Sequence, residues 1–101
     1  MPKIVVLGAG LGGVVAAYEI RETLKKSADI MVVSKGPIFH FTPSNPWVAV
    51  GWRRRDAIEV DLPAAMARRW IGFNASGARR VHPKENSVEL MDGSRVDYDY
   101  L

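Results

Sequence analysis

The sequence predicts an α/β fold, a parallel sheet followed by a small β-meander, and two features predict it. The first is the order of patterns in residues 1–35. Lys3 to Leu7 is a short apolar, β-branched run that reads as a buried strand. It stops at Gly8-Ala9-Gly10-Leu11-Gly12-Gly13, a helical pattern follows, and a second apolar run spans Ile30 to Ser34. Strand, glycine turn, helix and strand make a βαβ unit, whose strands run parallel. The second feature is the change of period after Gly77, where short alternating segments are separated by turn residues. A chain of 101 residues makes at most one small domain.

The glycine turn is a G-x-G-x-x-G, weak alone and strong between two strands. Gly8 permits the tight turn out of the strand. Gly10 has no side chain, so a pyrophosphate can approach the backbone. Gly13 lets the helix pack close to the sheet. The helix N-terminus offers unpaired N–H groups and a partial positive charge to phosphates. The bland alternative is a close-packed strand–helix turn that holds no ligand.

The first helix is expected from Leu11 to Lys26, with Val14, Ala17, Tyr18 and Leu24 on its apolar face. Arg21, Glu22, Lys25 and Lys26 mark the wet side, the lysines in the last turn where they suit the helix dipole. The second parallel strand runs from Ile30 to Ser34. A dinucleotide site usually carries an acidic residue near this point to hold a ribose hydroxyl. Here the position falls on Ser34, followed by Lys35. That departure argues against a simple NAD site, leaves room for FAD, and admits a 2′-phosphate as in NADP.

Gly36 to Arg55 is a long irregular stretch with Pro37, Pro43 and Pro46. Phe39, Phe41, Trp47 and Trp52 make it too aromatic for disorder. Ser44-Asn45-Pro46-Trp47 opens a short helix, with Ser44 or Asn45 as N-cap, and Gly51 ends it. The aromatics either fill a satellite core or form a wall against a planar cofactor ring. Arg53-Arg54-Arg55-Asp56 reads as a solvated face, with a phosphate or acidic-lipid contact as the alternative. Asp61-Leu62-Pro63 starts a helix that Ala64 to Trp70 continues. Ile71 to Ser76 is the third parallel strand.

The meander consists of Arg79 to His82, Ser87 to Leu90, and Ser94 to Val96, turned at His82-Pro83-Lys84-Glu85-Asn86 and at Met91-Asp92-Gly93-Ser94. His82 is a turn residue rather than a base. Asp97 to Leu101 is the entry to a further strand, which implies a truncated domain.

Composition excludes several classes. The chain has no cysteine, hence no disulfide, thiolate metal site or Cys nucleophile among its residues. Two histidines far apart, His40 and His82, do not make a zinc site. No run is long enough for a transmembrane helix, and the opening lacks the pattern of a signal peptide. The net charge of +3 does not indicate a nucleic-acid partner, and none is expected. Binding through Arg53-Arg54-Arg55, Arg68-Arg69 and Arg79-Arg80 would show itself by steep salt dependence.

The order strand, G-A-G-x-G-G turn, helix, strand, aromatic loop and meander resembles the opening of the two-dinucleotide-domain flavoproteins, the pyridine nucleotide-disulfide oxidoreductase-like family. The run Phe39-His40-Phe41-Thr42-Pro43-Ser44-Asn45-Pro46-Trp47-Val48-Ala49-Val50-Gly51-Trp52 resembles sulfide:quinone oxidoreductases in particular. So do the opening Val5-Val6-Leu7-Gly8-Ala9-Gly10 and the closing Val96-Asp97-Tyr98-Asp99-Tyr100-Leu101. The resemblance covers essentially the whole chain and the first part of such an enzyme. The glycine turn alone also fits type II NADH dehydrogenases and the flavin subunit of flavocytochrome c sulfide dehydrogenase.

The resemblance implies a truncated three-layer, Rossmann-like FAD-binding domain, with residues 1–101 as its N-terminal part. It implies FAD, with the ADP half over Gly8, Ala9, Gly10, Leu11, Gly12 and Gly13. Ser34 and Lys35 would meet the adenosine ribose. Phe41, Thr42, Pro43, Ser44 and Asn45 would run beside the flavin end. Backbone groups near Gly77, Ala78 and Arg79 would meet the adenine. The family oxidises sulfide at paired redox cysteines and passes electrons through FAD to a membrane quinone. This chain has no cysteine, so by itself it is expected to be inactive, and no residue in it is assigned as catalytic. The parent is expected at the surface of a bacterial membrane. In the family the strand that would begin near Tyr100 pairs with the first strand, so without it Lys3–Leu7 is expected to present an open edge and the chain to self-associate or be marginally stable. The competing reading is a small independent ADP- or NAD-binding module.

Overall fold

The computed structural model describes residues 1–40 and 42–101; for His40, Thr42 and Arg55 it describes the backbone alone. In chain order the elements are β1 (Lys3–Leu7), α1 (Leu11–Leu24), β2 (Asp29–Val33), β3 (Ile38–His40), α2 (Asn45–Ala49), β4 (Glu59–Asp61), α3 (Leu62–Ala67), β5 (Gly72–Asn74), β6 (Ala78–His82), β7 (Ser87–Leu90) and β8 (Arg95–Asp97).

The central sheet is parallel, in the order β1-β2-β5. Lys3 pairs with Asp29 through to Leu7 with Val33, and Met31 pairs with Gly72 through to Val33 with Asn74. Alternate residues of these strands face opposite ways. Ile30 and Val32, with Ile4 and Val6 beside them, pack against Ala17 of α1 and Leu62 and Met66 of α3. Val5 and Val33 face the other way, onto Val88, Leu90 and Val96 of the meander. The meander is an antiparallel β6-β7-β8 sheet. Helices, parallel sheet and meander are therefore the three layers, and an apolar run unbroken by alternation is what two covered faces require.

α1 stops two residues earlier than the sequence predicts. Lys25 adopts φ +52°, while its N–H still donates to Arg21 O at 2.8 Å. Arg21 is not on the wet side. Its guanidinium donates to the carbonyls of Lys25 (2.7 Å), Ala28 (2.9 Å) and Trp70 (2.7 Å). The end of a helix leaves carbonyls without donors, and a long cation reaching back supplies them. Leu24, expected on the apolar face, is 37% exposed, and Ile20 packs on the core instead.

α3 is capped as expected, with Asp61 Oδ1 accepting from Ala64 N at 3.4 Å. It ends at Ala67 because Trp70 takes φ +53° and Ile71 N bonds back to Met66 O at 3.0 Å. β5 is shorter than Ile71–Ser76. Ser76 leaves the ladder and bridges Lys35 in the antiparallel sense.

The stretch from Gly36 to Arg55 is less irregular than expected. β3 pairs antiparallel with β4, from Ile38 with Asp61 to His40 with Glu59. α2 forms as predicted, with Ser44 at the N-cap position and Gly51 (φ +78°) just past its end. On the outer side of β1, Val5 N donates to Tyr100 O at 3.0 Å, and Lys3 N donates to Asp99 Oδ2 at 2.7 Å. The chain at Tyr100 thus already engages β1, and among the described residues no backbone hydrogen bond joins the outer side of β1 beyond Val5.

Candidate functional site

The site begins where β1 ends. Gly8 N donates to Val33 O at 2.7 Å, the last rung before the turn, and Gly8 takes φ +98°. A side chain is strained there. Gly10 is the N-cap of α1 and has no side chain to satisfy the first turn. The N–H groups of the first turn have no intrahelical acceptor. No acidic residue occupies that turn, so nothing in the helix offsets its positive end.

The glycines divide by role. A Cβ on Gly13 would lie 2.0 Å from Gly8 O, so only glycine lets α1 sit against the turn. A Cβ on Gly10 or Gly12 would meet nothing within 4 Å. Those two positions border open space, as an approaching phosphate needs. Ala9 is buried in the core beneath, and Leu11 is half exposed. Ala9 can therefore offer a ligand only its backbone.

The residues expected around an adenosine come together at the carboxyl ends of β2 and β5. Ser34 N donates to Asn74 O at 2.9 Å, and Gly36 N to Ala75 O at 3.0 Å. Gly77 is buried, with φ +80°, and an added Cβ would lie 3.4 Å from Lys35 Cβ. Met91 N donates to Gly77 O at 2.9 Å. Ala78 pairs with Leu90, and a bulge follows between Ala78 and Arg80. A bulge frees a backbone segment from its ladder. Arg79 points its side chain at Glu89, Nε to Oε2 3.5 Å.

Two carboxylates frame this corner. Glu89 also holds His82 Nε2 at 3.3 Å. The hydrogen bond from His82 keeps the Glu89 carboxyl below its ordinary range, aided by the Arg79 charge and opposed by desolvation. Asp92 accepts from Ser94 Oγ (2.6 Å), Ser94 N (3.0 Å) and Ser76 Oγ (3.1 Å). The Ser94 hydroxyl and amide hold its carboxyl low. Sequence reading took Asp92-Gly93-Ser94 as a hairpin turn alone. The signal it missed was Asp with Ser two residues on, the Asx pattern that folds a carboxylate onto its own turn.

The segment expected at the flavin end is held separately. Ser44 is buried, and its Oγ accepts from Arg53 Nη1 at 3.2 Å. The Arg53 guanidinium lies 5.3 Å from the Trp47 ring, which is tilted against Trp52 at 5.0 Å. Arg53 is thus tied into the loop rather than simply solvated. Trp47 and Trp52 are exposed, whereas Phe39 packs on the core. Pro43 and Asn45 are exposed. The Phe41 expectation lies outside the described residues, as does the Thr42 side chain. Among the described residues no hydrogen bond joins this segment to the glycine turn.

A cleft of about 580 Å³ lies elsewhere, between Arg21, Lys25, Lys26, Asp29, Arg69 and Trp70. It opens at the start of β2, whereas ligands of open α/β sheets bind beyond the carboxyl ends of the strands. The glycine turn carries the better chemical case. Among the described residues no three His, Asp or Glu side chains group as a metal site would need, and no helix is long and apolar enough to cross a membrane.

No family model matches the chain. The structure is similar to that of sulfide:quinone oxidoreductase from the hyperthermophilic bacterium Aquifex aeolicus, with a TM-score of 0.93 and 36% identity, covering 100% of this chain and 23% of that one. It is also similar to putidaredoxin reductase in its covalent complex with putidaredoxin, TM-score 0.82 and 25% identity, over 97% of this chain and 24% of that one. Among curated proteins, the sulfide-quinone reductase of Aquifex aeolicus is 37% identical over 98 residues, which is 97% of this chain and 23% of the relative. The mitochondrial sulfide:quinone oxidoreductase of Dictyostelium discoideum is 30% identical over 105 residues, 98% of this chain and 22% of the relative.

The fold and the glycine site define the class first, that of the FAD-binding, Rossmann-type oxidoreductases. Within that class the chain is related over its whole length to the N-terminal region of the sulfide:quinone oxidoreductases. It spans less than a quarter of the length of the curated relatives it matches. The relationship implies FAD as the dinucleotide. The open space over Gly10 and Gly12, at an uncapped and uncharged helix start, fits its pyrophosphate.

Proposed function

We propose that residues 1–101 form the N-terminal part of one FAD/NAD(P)-binding domain and build the ADP half of an FAD site. The parent, on this reading, is a flavoprotein that oxidises sulfide and passes electrons to quinone. The observation that carries the reading is the pair of glycine roles. Gly13 is fixed because an added Cβ would lie 2.0 Å from Gly8 O, while Gly10 and Gly12 face open space at a bare helix N-terminus.

The chain's own residues would bind and orient. First-turn N–H groups from Leu11 to Gly13 would hold the pyrophosphate, with Gly8 and Ala9 setting the turn beneath it. The Ser34 hydroxyl would bond the ribose, beside Lys35. Freed backbone at Ala78 and Arg79 would meet the adenine. Thr42, Pro43, Ser44 and Asn45 would lie towards the flavin end. Bound FAD supplies the electron-transfer chemistry, and the protein supplies placement. The chain contains no cysteine, so thiol chemistry on sulfide is not carried by these residues.

The test is a titration of the 101-residue chain with FAD, followed by flavin fluorescence, with ADP and NAD as competitors. Saturable binding displaced by ADP is expected. Adenine-nucleotide binding with no preference for FAD would instead favour an independent ADP- or NAD-binding module. Absence of binding by all three would overturn the claim that these residues suffice for the ADP half.

A further inference from the structure

We infer that Asp92 supplies the carboxylate that holds a ribose hydroxyl at the adenosine end of this site. The inference rests on the dinucleotide reading above and adds a binding residue to it. Dinucleotide sites of this fold usually take that carboxylate from the end of the second strand. Here that end carries Ser34 and then Lys35, so the acid is missing from its ordinary place. The adenosine of FAD has free ribose hydroxyls and no ribose phosphate, so a carboxylate is the partner it suits.

The fold brings another acid to the same corner. Met91 N donates to Gly77 O at 2.9 Å, which seats the turn between β7 and β8 beside the segment that follows β5. Ser76 of that segment is bridged to Lys35. Asp92 is one hydrogen bond further on, its Oδ2 accepting from Ser76 Oγ at 3.1 Å. An aspartate that only closes its own turn needs one oxygen, and Oδ1 fills that role by accepting from Ser94 N and Ser94 Oγ. Oδ2 instead meets the end of the parallel sheet, 16 residues away in the chain. A carboxylate offers about four acceptor sites. At Asp92 the hydrogen bonds just named fill three, all from uncharged donors. Asp92 is exposed, and among the described residues no ion pair reaches it. The remaining site on Oδ2 is open to a hydroxyl donor. Glu89 is not equivalent, because His82 takes its Oε1 and Arg79 its Oε2. The Ser94 hydrogen bonds hold the Asp92 carboxyl low, so it is ionised at neutral pH and ready to accept.

ADP, 2′-deoxy-ADP and 3′-deoxy-ADP make the cleanest probes, because each analogue lacks a single ribose hydroxyl. All three would be titrated into the isotopically labelled chain, following the amide shifts of Gly10 and Gly12. One of the two deoxy analogues is expected to bind about tenfold more weakly than ADP, the low end for a hydrogen bond to a charged group. Asp92→Asn should bring that ratio close to one. Its effect on the turn would weaken all three nucleotides alike, so a purely structural role leaves the ratio where it was. Glu89→Gln, the same loss of charge in the same meander, should leave the ratio unaltered. Equal binding of ADP and both analogues, or a preference that survives Asp92→Asn, overturns the inference and leaves the dinucleotide reading standing. If ADP does not move the Gly10 and Gly12 amides, the dinucleotide reading falls and the inference with it.

Discussion

Gly10 and Gly13 stand three residues apart and should fail in opposite ways. Gly13→Ala places a methyl 2.0 Å from Gly8 O, a backbone carbonyl that cannot swing aside as a flexible side chain would. Overpacking of this kind costs about 3 kcal/mol, to be read as a lowered denaturant midpoint. Gly10→Ala meets nothing within 4 Å and sits at φ −77°, so stability should change by less than about 0.5 kcal/mol. Its effect should appear in FAD or ADP affinity alone, as a loss measured by the same fluorescence titration. The spacing of the glycines made this division legible in sequence, because the turn acts within a few residues. Arg21 was not legible in that way. All three of its carbonyl partners, Lys25, Ala28 and Trp70, lie beyond the last helical residue, and Trp70 is 49 residues away. Periodicity alone put this arginine on the solvent side. Arg21→Ala should lower stability by about 2 kcal/mol, measured by urea unfolding, because charged hydrogen bonds to three carbonyls go together.

Elements were legible where their signals are local. β1, α2 and the meander strands fall within a residue or two of expectation, each set by its own pattern and bounding turns. The ribbon of β3 and β4 was not, since each strand has three residues and their partners lie some twenty positions apart. The adenosine corner shares that difficulty. Lys35, Ser76 and Gly77 meet only after the sheet has formed. The meander also carries the clearest dependence on pH. Glu89 and Asp92 have folded-state values below their ordinary 4.5 and 3.8. A depressed carboxyl adds stability above its ordinary value and loses it as pH falls through the folded one. Thermal midpoints should therefore hold from neutral pH down to about 5 and fall steadily below about 4.5. Glu89→Gln should flatten part of that fall by removing the partner of His82 and Arg79.

At the scale of the whole molecule, one sheet separates two apolar layers. Ile30 and Val32 look to the helices, and Val5 and Val33 look to the meander. Slipping β2 by one residue would exchange the two sets, so the register is specified from both sides. The outer edge of β1 is less well protected. Tyr100 engages it only as far as Val5, and Leu7 is 37% exposed. An unpaired apolar edge is a template for another chain. Sedimentation at rising concentration should show association, and a strictly monomeric chain would count against it.

The bond from Lys3 to Asp99 spans 96 residues. During synthesis β1 emerges well before its outer neighbour at Asp99 and Tyr100. At typical translation rates that wait is roughly 5 to 20 seconds. For that interval a nascent chain holds a β-branched strand with one flank bare, open to a chaperone until Asp99 and Tyr100 arrive.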